Sequence, residues 1–156
     1  MRLVLVRHGE AEARAATDAA RALTAHGRQQ AAATGRWLAA ALAGPVQLLV
    51  SPYRRAQETA AEIAACLPQA VTITVPRITP DDDPRQALEA VAGVVTLAQV
   101  VVVTHMPLVA GLHQWLCESV IVGGRPFGLA EARCYALEAL APGLAVPEAA
   151  FVPALA

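Results

Sequence analysis

Two histidines and two arginines stand just beyond the ends of predicted strands. His8 follows the first predicted strand by two residues, and His105 follows the fourth predicted strand by two residues. Arg55 lies in the first turn of the helix predicted after the second strand. Because the carboxyl ends of parallel strands share one edge of a sheet, these side chains are expected to meet there. With Arg7 beside His8, the predicted cleft holds two imidazoles and two guanidinium groups.

This set of side chains suits the transfer of a phosphoryl group. Arginine binds phosphate oxygens through paired hydrogen bonds and stays charged at any working pH. A neutral histidine is a nucleophile toward phosphorus, and a second histidine stabilises charge on the oxygens or moves a proton. Arg54 and Arg55 also stand near a predicted helix N-terminus, which disfavours cations unless an anion binds there. The sequence therefore predicts phosphoryl transfer through a phosphohistidine intermediate.

Simpler explanations exist for each of these residues taken alone. A single loop histidine is usually satisfied by the backbone, and Arg54–Arg55 fits a solvated pair. A histidine after a strand is also a metal-ligand candidate, but no cysteine or carboxylate stands at the usual ligand spacing. The convergence of three separate segments on one sheet edge favours the phosphate site over these alternatives.

The elements that position these groups alternate between strands and helices. Short apolar or alternating runs predict strands at 2–6, 46–50, 71–75, 100–103 and 133–140, with one more near 150–152. Helices are predicted at 25–43 with Thr24 as the cap, from Ser51 as cap and Pro52 as first residue to Cys66, at 85–97, and at 107–117. Residues 11–22 are predicted to be a loop or an irregular helix.

This order of elements predicts an α/β fold. We expect a single domain over residues 1–156, a three-layer α/β/α sandwich around a largely parallel sheet. The hydrophobic fraction of 56% and the charged fraction of 16% exclude a disordered chain. The net charge of −1 gives no argument for a nucleic acid or an anionic membrane as a partner. The apolar runs are too short for a signal peptide or a membrane span, so a cytoplasmic protein is expected.

Four motifs, in order along the chain, resemble those of the histidine phosphatase superfamily, also called the phosphoglycerate mutase-like superfamily. The segment 5–10 (LVRHGE) is similar to its signature, and 51–60 (SPYRRAQETA) to its second motif. The segment 103–105 (VTH), followed by Pro107, is similar to its third motif. The segment 23–27 (LTAHG) resembles the start of a helix in the family. The resemblance implies a phosphoglycerate mutase-like fold and a phosphatase activity.

The resemblance also implies a role for particular residues. His8 would be the nucleophile that accepts phosphate, and Arg7, Arg55 and His105 would form the phosphate pocket with it. Gly9 would bring the backbone close, with its carbonyl holding the Nδ1 proton of His8 so that Nε2 attacks. The same match implies two further substrate-binding positions, Arg21 and Ser51.

Several carboxylates remain candidates for the proton donor. The loop after the third strand carries Asp81, Asp82 and Asp83, and many members of the superfamily use an acid from this loop. The same three residues also fit a solvated turn that caps the next helix. Asp18 is a second candidate and Glu10 a third.

Within the superfamily the chain is most similar to the SixA-type family of small protein phosphohistidine phosphatases. The chain is short, and the stretch from Thr17 and Asp18 to Arg21, followed by Leu23, Thr24 and Gly27, is similar in residue type and spacing. The resemblance implies hydrolysis of phosphate from a histidine-phosphorylated protein, such as a phosphotransfer or carrier domain, with no metal or other cofactor. Two alternatives stay open: a small-molecule phosphomonoesterase of the same superfamily, and a non-catalytic module that binds phosphorylated proteins.

Overall fold

The computed structural model describes residues 1–154. The strands in this part of the chain are β1 (Arg2–Arg7), β2 (Val46–Val50), β3 (Ala70–Thr74), β4 (Gln99–Thr104), β5 (Ala132–Ala136) and β6 (Val146–Phe151). The helices are α1 (Ala25–Ala41), α2 (Arg54–Ala64), α3 (Pro84–Ala92) and α4 (Leu108–Glu118), with a 3₁₀ turn at Asp18–Ala20. The strands form one six-stranded sheet in the order β3-β2-β4-β1-β5-β6.

The four central strands of the sheet are buried on both faces, whereas the edge strands β3 and β6 are largely exposed. Successive side chains of a strand point to opposite faces. Leu3 and Leu5 of β1 therefore pack with α3 and α4, whereas Val4 and Val6 pack with α1 and α2. The first four strands run parallel, and β5 and β6 add antiparallel pairs at one side. The predicted three-layer α/β/α sandwich with a largely parallel sheet is confirmed.

The strand order brings the carboxyl ends of three parallel strands together. In the β1–β4 pair, Arg7 lies opposite Thr104. In the β2–β4 pair, Val50 lies opposite Val103. The residues that follow β1, β2 and β4 along the chain thus emerge side by side at one edge of the sheet. The topology therefore brings the residues after these three strands together, as the sequence predicted.

The predicted start of α2 is wrong because it is too early. The helix begins at Arg54, with Tyr53 at the N-cap position and no side-chain cap. Ser51 is fully buried, and its Oγ accepts from the Tyr53 N–H at 3.2 Å and contacts His105. Its carbonyl accepts from Nε2 of Gln57 at 2.8 Å. These contacts hold residues 51–53 in a turn ahead of the helix.

Helix α3 ends earlier than predicted because a side chain of β2 binds the backbone that follows it. The helix stops at Ala92, whereas the sequence predicted residues 85–97. Oε1 of Gln47, on β2, accepts hydrogen bonds from the N–H groups of Thr96 and Leu97 at 2.8 and 3.0 Å. These bonds replace helical ones and lead the chain directly into β4.

The last two strands also differ from their predicted bounds. β5 ends at Ala136 rather than at residue 140, and the N–H of Leu137 makes one more bond to the neighbouring chain segment, to the carbonyl of Met1 at 3.2 Å. β6 is longer than the predicted 150–152 and begins at Val146. Residues 155 and 156 of the predicted tail lie outside the described residues. In residues 1–154, no helix has the length and apolar character needed to cross a membrane.

Candidate active site

His8 stands directly after β1 with one ring nitrogen fixed by the backbone. Its Nδ1 lies 2.7 Å from the carbonyl oxygen of Gly9, the contact that the family resemblance implied. Because a carbonyl only accepts, Nδ1 carries the proton and Nε2 keeps a lone pair. Nε of Arg55 donates to this Nε2 at 3.3 Å. The Nε2 lone pair of His8 therefore faces the guanidinium group that would bind an anion.

The His8 imidazole is kept neutral. Burial, together with the positive charges of Arg55, Arg7 and Arg21, lowers the pKa of His8 to about 4 against the opposing hydrogen bond to Gly9. The ring is only 7% exposed. At neutral pH the nucleophile does not have to lose a proton before it attacks.

Glycine is required where the loop after β1 packs on α1. A Cβ on Gly9 would lie 2.6 Å from the carbonyl oxygen of Gly27, and a Cβ on Gly27 would lie 2.0 Å from that of Glu10. The N–H of Gly9 donates to Oγ1 of Thr59 on α2 at 3.1 Å. Both helices of this face thus fix the peptide that orients His8.

Arg55 lies in the first turn of α2 and is almost fully buried. Its Nη1 donates to the carbonyl of Asp18 at 2.7 Å, and its Nη2 to the Asp18 carboxylate at 3.1 Å. Its guanidinium carbon lies 5.0 Å from the centre of the Tyr53 ring. The guanidinium is therefore fixed on three sides with Nε directed at His8.

Asp18 joins two arginines at the mouth of the pocket. Its carboxylate accepts from Nε of Arg21 at 2.9 Å as well as from Arg55. The hydrogen bond from Arg21, followed by that from Arg55, lowers the pKa of Asp18. A carboxyl group that is held ionised in this way is poorly suited to act as a general acid. Glu10 instead accepts from the hydroxyl of Thr24 at 2.8 Å.

His105 stands directly after β4, with its ring centre 5.1 Å from that of His8. Its Nε2 lies 2.7 Å from Oγ of Ser51, which already accepts the Tyr53 N–H. Because this oxygen already accepts one hydrogen bond, we assign the Ser51 hydroxyl as the donor to Nε2, which places the proton of His105 on Nδ1. Burial first, and then the neighbouring His8 and Arg55, lower the pKa of His105 to about 3.

Arg7, the last residue of β1, completes the set of donors. Its Nη1 donates to the carbonyl oxygen of Phe127 at 2.8 Å. Within residues 1–154, Nε of Arg7 and Nδ1 of His105 are buried without a hydrogen-bond partner. A buried donor left unpaired costs about 1–3 kcal/mol. A tetrahedral oxyanion in this pocket offers the acceptors that both groups need.

The three carboxylates after β3 differ in their contacts. Asp82 accepts from the N–H and the hydroxyl of Thr79 at 2.8 and 2.6 Å. Asp83 caps α3 by accepting from the N–H of Arg85 at 2.9 Å. These two serve the helix-capping turn that the sequence offered as an alternative. Asp81 is exposed and lines a groove on this side of the molecule.

Three residues of the site were not selected from the sequence. The Tyr53 ring packs edge-on against His105, with ring centres 5.1 Å apart. Thr59 lies one helical turn after Arg55, a spacing that signals a shared helix face. Phe127 contributes only a backbone carbonyl, for which the sequence carries no signal. In the described part of the chain, no group of three or more His, Cys, Asp or Glu side chains is placed to hold a metal ion.

Comparison with known proteins identifies relatives of this chain. A model of the histidine phosphatase superfamily (branch 1) matches residues 3–77. Phosphohistidine phosphatase SixA of Escherichia coli (strain K12) is 32% identical over 121 residues, which cover 75% of this chain and 74% of that protein. A SixA homolog of Haemophilus influenzae is 48% identical over 64 residues, covering 38% of this chain and 39% of that protein.

Solved structures extend the likeness over nearly the whole chain. The protein histidine phosphatase SixA complexed with tungstate has a TM-score of 0.86 at 26% identity and covers 97% of both chains. A mycobacterial glucosyl-3-phosphoglycerate phosphatase, at 21% identity and a TM-score of 0.68 over 86% of this chain and 89% of that one, shares the fold. The resemblance based on the four sequence motifs is confirmed. On the sequence match to SixA over three quarters of its length, this chain belongs to the histidine phosphatase superfamily.

Proposed function

We propose that this protein is a phosphohistidine phosphatase that removes phosphate from a histidine-phosphorylated protein through a phospho-His8 intermediate. The observation that carries the proposal is the state of His8. Its Nδ1 is fixed on the Gly9 carbonyl, and its Nε2 lone pair faces Nε of Arg55 at 3.3 Å. The similarity to SixA, which is named a phosphohistidine phosphatase and binds tungstate, supports both the activity and the oxyanion pocket.

In the first step Nε2 of His8 attacks phosphorus opposite the substrate imidazole. A new N–P bond forms, and the bond from phosphorus to the substrate nitrogen breaks. Arg7, Arg55 and Nδ1 of His105 hold the three non-bridging oxygens, so their charge is stabilised without reorganisation. This step needs a neutral His8, which burial secures.

In the second step water attacks phospho-His8. The oxygen–phosphorus bond forms as the N–P bond breaks, and the electron pair returns to Nε2 of His8. Inorganic phosphate leaves with the oxygen of that water, and the water protons are released to solvent or to phosphate. The Gly9 carbonyl keeps Nδ1 protonated throughout, so the enzyme returns to its starting tautomer.

A strong enzyme acid is not needed for this substrate. When the second nitrogen of the substrate imidazole is protonated, the ring leaves as a neutral molecule, unlike the alkoxide of an ester. This fits the carboxylates found here, because Asp18 is held ionised and Asp82 and Asp83 accept hydrogen bonds within their own turn. Asp81 is the remaining acid candidate for ester substrates.

A protein substrate from the cytoplasm fits two further features. An apolar groove begins at Met106, directly after His105, and is also lined by Pro84, Leu108 and Ile121. Such a surface suits the polypeptide around a phosphohistidine in a phosphotransfer or carrier domain better than a sugar. The three cysteines of the chain are free thiols, which is typical of a reducing compartment.

The test is a time course on a histidine-phosphorylated protein beside a panel of small phosphate esters. The wild-type protein is expected to favour phosphohistidine and to carry acid-labile phosphate during turnover. His8→Ala is expected to lose both while keeping the circular-dichroism spectrum of the wild type. His26→Ala, a half-buried histidine of α1, is the matched control and is expected to retain activity.

Three outcomes would contradict the proposal. Near-normal turnover by His8→Ala would exclude the nucleophile. Fast ester hydrolysis with poor phosphohistidine turnover would identify a small-molecule phosphomonoesterase. Binding of the phosphorylated protein without any turnover would identify a non-catalytic module.

A further inference from the structure

Two ions of opposite charge are buried next to each other at the start of β5. Nε of Arg133 donates to Oε2 of Glu131, and the two side chains are 6% and 9% exposed. Removing both ions from water costs much of what their attraction returns, and packed apolar residues often give equal stability. The pair therefore calls for an explanation other than stability.

Both members of the pair bind the chain segment 126–128. Nη2 of Arg133 donates to the carbonyl of Pro126 at 2.9 Å, and its guanidinium carbon lies 3.7 Å from the centre of the Phe127 ring. Oε1 of Glu131 accepts from the N–H of Gly128 at 2.8 Å. The peptide groups on either side of Phe127 are thus fixed by one charged side chain each.

The fixed segment is the one that holds Arg7. The carbonyl of Phe127 accepts from Nη1 of Arg7 at 2.8 Å, and the carbonyl of Glu131 accepts from the Arg7 backbone N–H at 3.1 Å. An arginine side chain has many rotamers, so its placement depends on such contacts. A shift of the Phe127 carbonyl would move the guanidinium that borders the phosphate pocket.

The following residues bind His8 in the same way. The N–H of Ala130 donates to the carbonyl of His8 at 3.0 Å, and its carbonyl accepts from the hydroxyl of Thr34 at 2.6 Å. Ala130 has a φ of 55°, a left-handed conformation that a residue with a Cβ adopts only where its surroundings enforce it. The segment 126–130, with Phe127 and Ala130 buried and Ala130 in a left-handed conformation, therefore supports both Arg7 and His8.

We propose that the Glu131–Arg133 pair positions Arg7 for phosphate binding by fixing the Phe127 carbonyl. Glu131 and Arg133 are positioning residues, since the contacts that link them to the pocket pass through residues 126–128. For its effect on turnover this inference rests on the proposed function, but phosphate binding tests it independently.

The test uses a variant that removes both charges. Removing one partner alone would leave a buried unpaired ion and endanger folding, so the variant is Glu131→Gln with Arg133→Met. The matched control is Arg85→Met, an exposed arginine over the Trp115 ring, outside the 126–130 segment. Each is made in the wild-type background and in the Arg7→Ala background.

Two readouts are compared, the Kd for tungstate by calorimetry and kcat/KM on phosphohistidine. In the wild-type background the paired variant is expected to weaken both by roughly ten- to a hundredfold, as small misplacements of catalytic groups do. In the Arg7→Ala background the same variant is expected to change neither by more than twofold. The control is expected to change neither in either background.

Additive losses in the Arg7→Ala background, or an unchanged tungstate Kd in the paired variant, would overturn the inference. A merely structural role predicts additivity, because a destabilised fold acts whether or not Arg7 is present. If the wild-type protein binds tungstate without hydrolysing phosphohistidine, the proposed function fails and the binding cycle still decides this inference. If the wild type does not bind tungstate, the inference fails with the pocket.

Discussion

The two arginines of the pocket are held by walls of opposite character. Arg55 is held by the 3₁₀ turn, through a carboxylate of Asp18 that is 58% exposed. Arg7 is held by the 126–130 segment, whose supporting ions Glu131 and Arg133 are almost fully buried. The first wall is in contact with solvent, whereas the second rests on buried ions.

This difference would allow one pocket to admit a phosphoryl group on one side and to hold Arg7 in a fixed position on the other. Exposed ion pairs contribute little and exchange readily with water, so the Asp18 wall can yield to an arriving phosphoryl group. The buried Glu131–Arg133 pair and the left-handed Ala130 do not rearrange easily, so we expect the Arg7 wall to keep its geometry during the reaction. We expect the substrate to enter past the first wall and to be aligned against the second.

Removing either arginine is expected to have the largest effect. Arg7→Ala and Arg55→Ala should each raise the barrier by about 2–4 kcal/mol, the range found for single donors to a transition-state oxyanion. Arg55→Ala should cost more because Arg55 also contacts Nε2 of His8. The measurement is kcat/KM on phosphohistidine, with exposed Arg54→Ala as the control. Equal activity of Arg54→Ala and Arg55→Ala would refute the assignment.

Ser51→Ala is expected to have the next largest effect. Without the hydroxyl, no donor fixes Nε2 of His105, so the Nδ1 proton is no longer enforced. The loss of one hydrogen bond to a positioned imidazole should lower kcat/KM by about tenfold. Nitrogen-15 shifts of His105 should show a change of tautomer. An unchanged tautomer with lowered activity would assign Ser51 a different role.

Asp18→Asn tests the exposed wall and should cost only a few-fold in kcat/KM. The Asp18 backbone carbonyl still accepts from Nη1 of Arg55, and an amide oxygen still accepts from one arginine. If Asp18 were the general acid, the loss on ester substrates would instead exceed a hundredfold, since proton transfer contributes about 10²–10⁴. The loss of kcat/KM expected if Asp18 only holds the arginines and the loss expected if it is the general acid therefore differ by more than an order of magnitude.

The effect of pH on activity is expected to be the smallest. The pKa values of His8 and His105 lie at about 4 and about 3, so both rings stay neutral from pH 8 to pH 5. In kcat/KM corrected for substrate ionisation, no histidine step should occur near pH 6.5. A step at 6.5, matched by a change in the nitrogen-15 shifts of His8 at the same pH, would show that His8 keeps its ordinary pKa and would contradict this prediction.

The pH dependence of the free energy of unfolding is expected to reflect the same two histidines, His8 and His105. Unfolded histidines titrate near 6.5, so below this pH the unfolded chain binds more protons than the folded one. The free energy of unfolding should therefore be flat above pH 6.5 and fall as the pH drops toward 4. Denaturant titrations at these pH values check the sign.

Sequence reasoning found the parts of the site that follow strands. Arg7, His8, Arg55 and His105 were predicted together because each is close in sequence to a strand end, and the structure joins them. Side-chain and main-chain contacts between distant segments were not predictable in this way. The Phe127 carbonyl lies 120 residues from Arg7, and any residue type supplies a carbonyl.

The same limit explains the errors in element bounds. Ser51 was predicted to cap α2 on its local sequence alone, but its hydroxyl contacts His105, which follows β4. The end of α3 depends on Gln47, far away in the sequence. Local propensity gave the existence and order of the elements, and tertiary hydrogen bonds decided where they begin and end.

The sheet order has a consequence for the way this protein is made. The strand that ends at Arg7, just before His8, is synthesised before the other five strands, yet both of its neighbours in the sheet, β4 and β5, come late in the chain. A growing chain on the ribosome therefore has to keep this apolar strand from aggregating until the residues of β4 have emerged. Such long-range pairing slows folding. Arg7 and His8 are thus translated before their neighbours in the sheet and reach their final positions only after them.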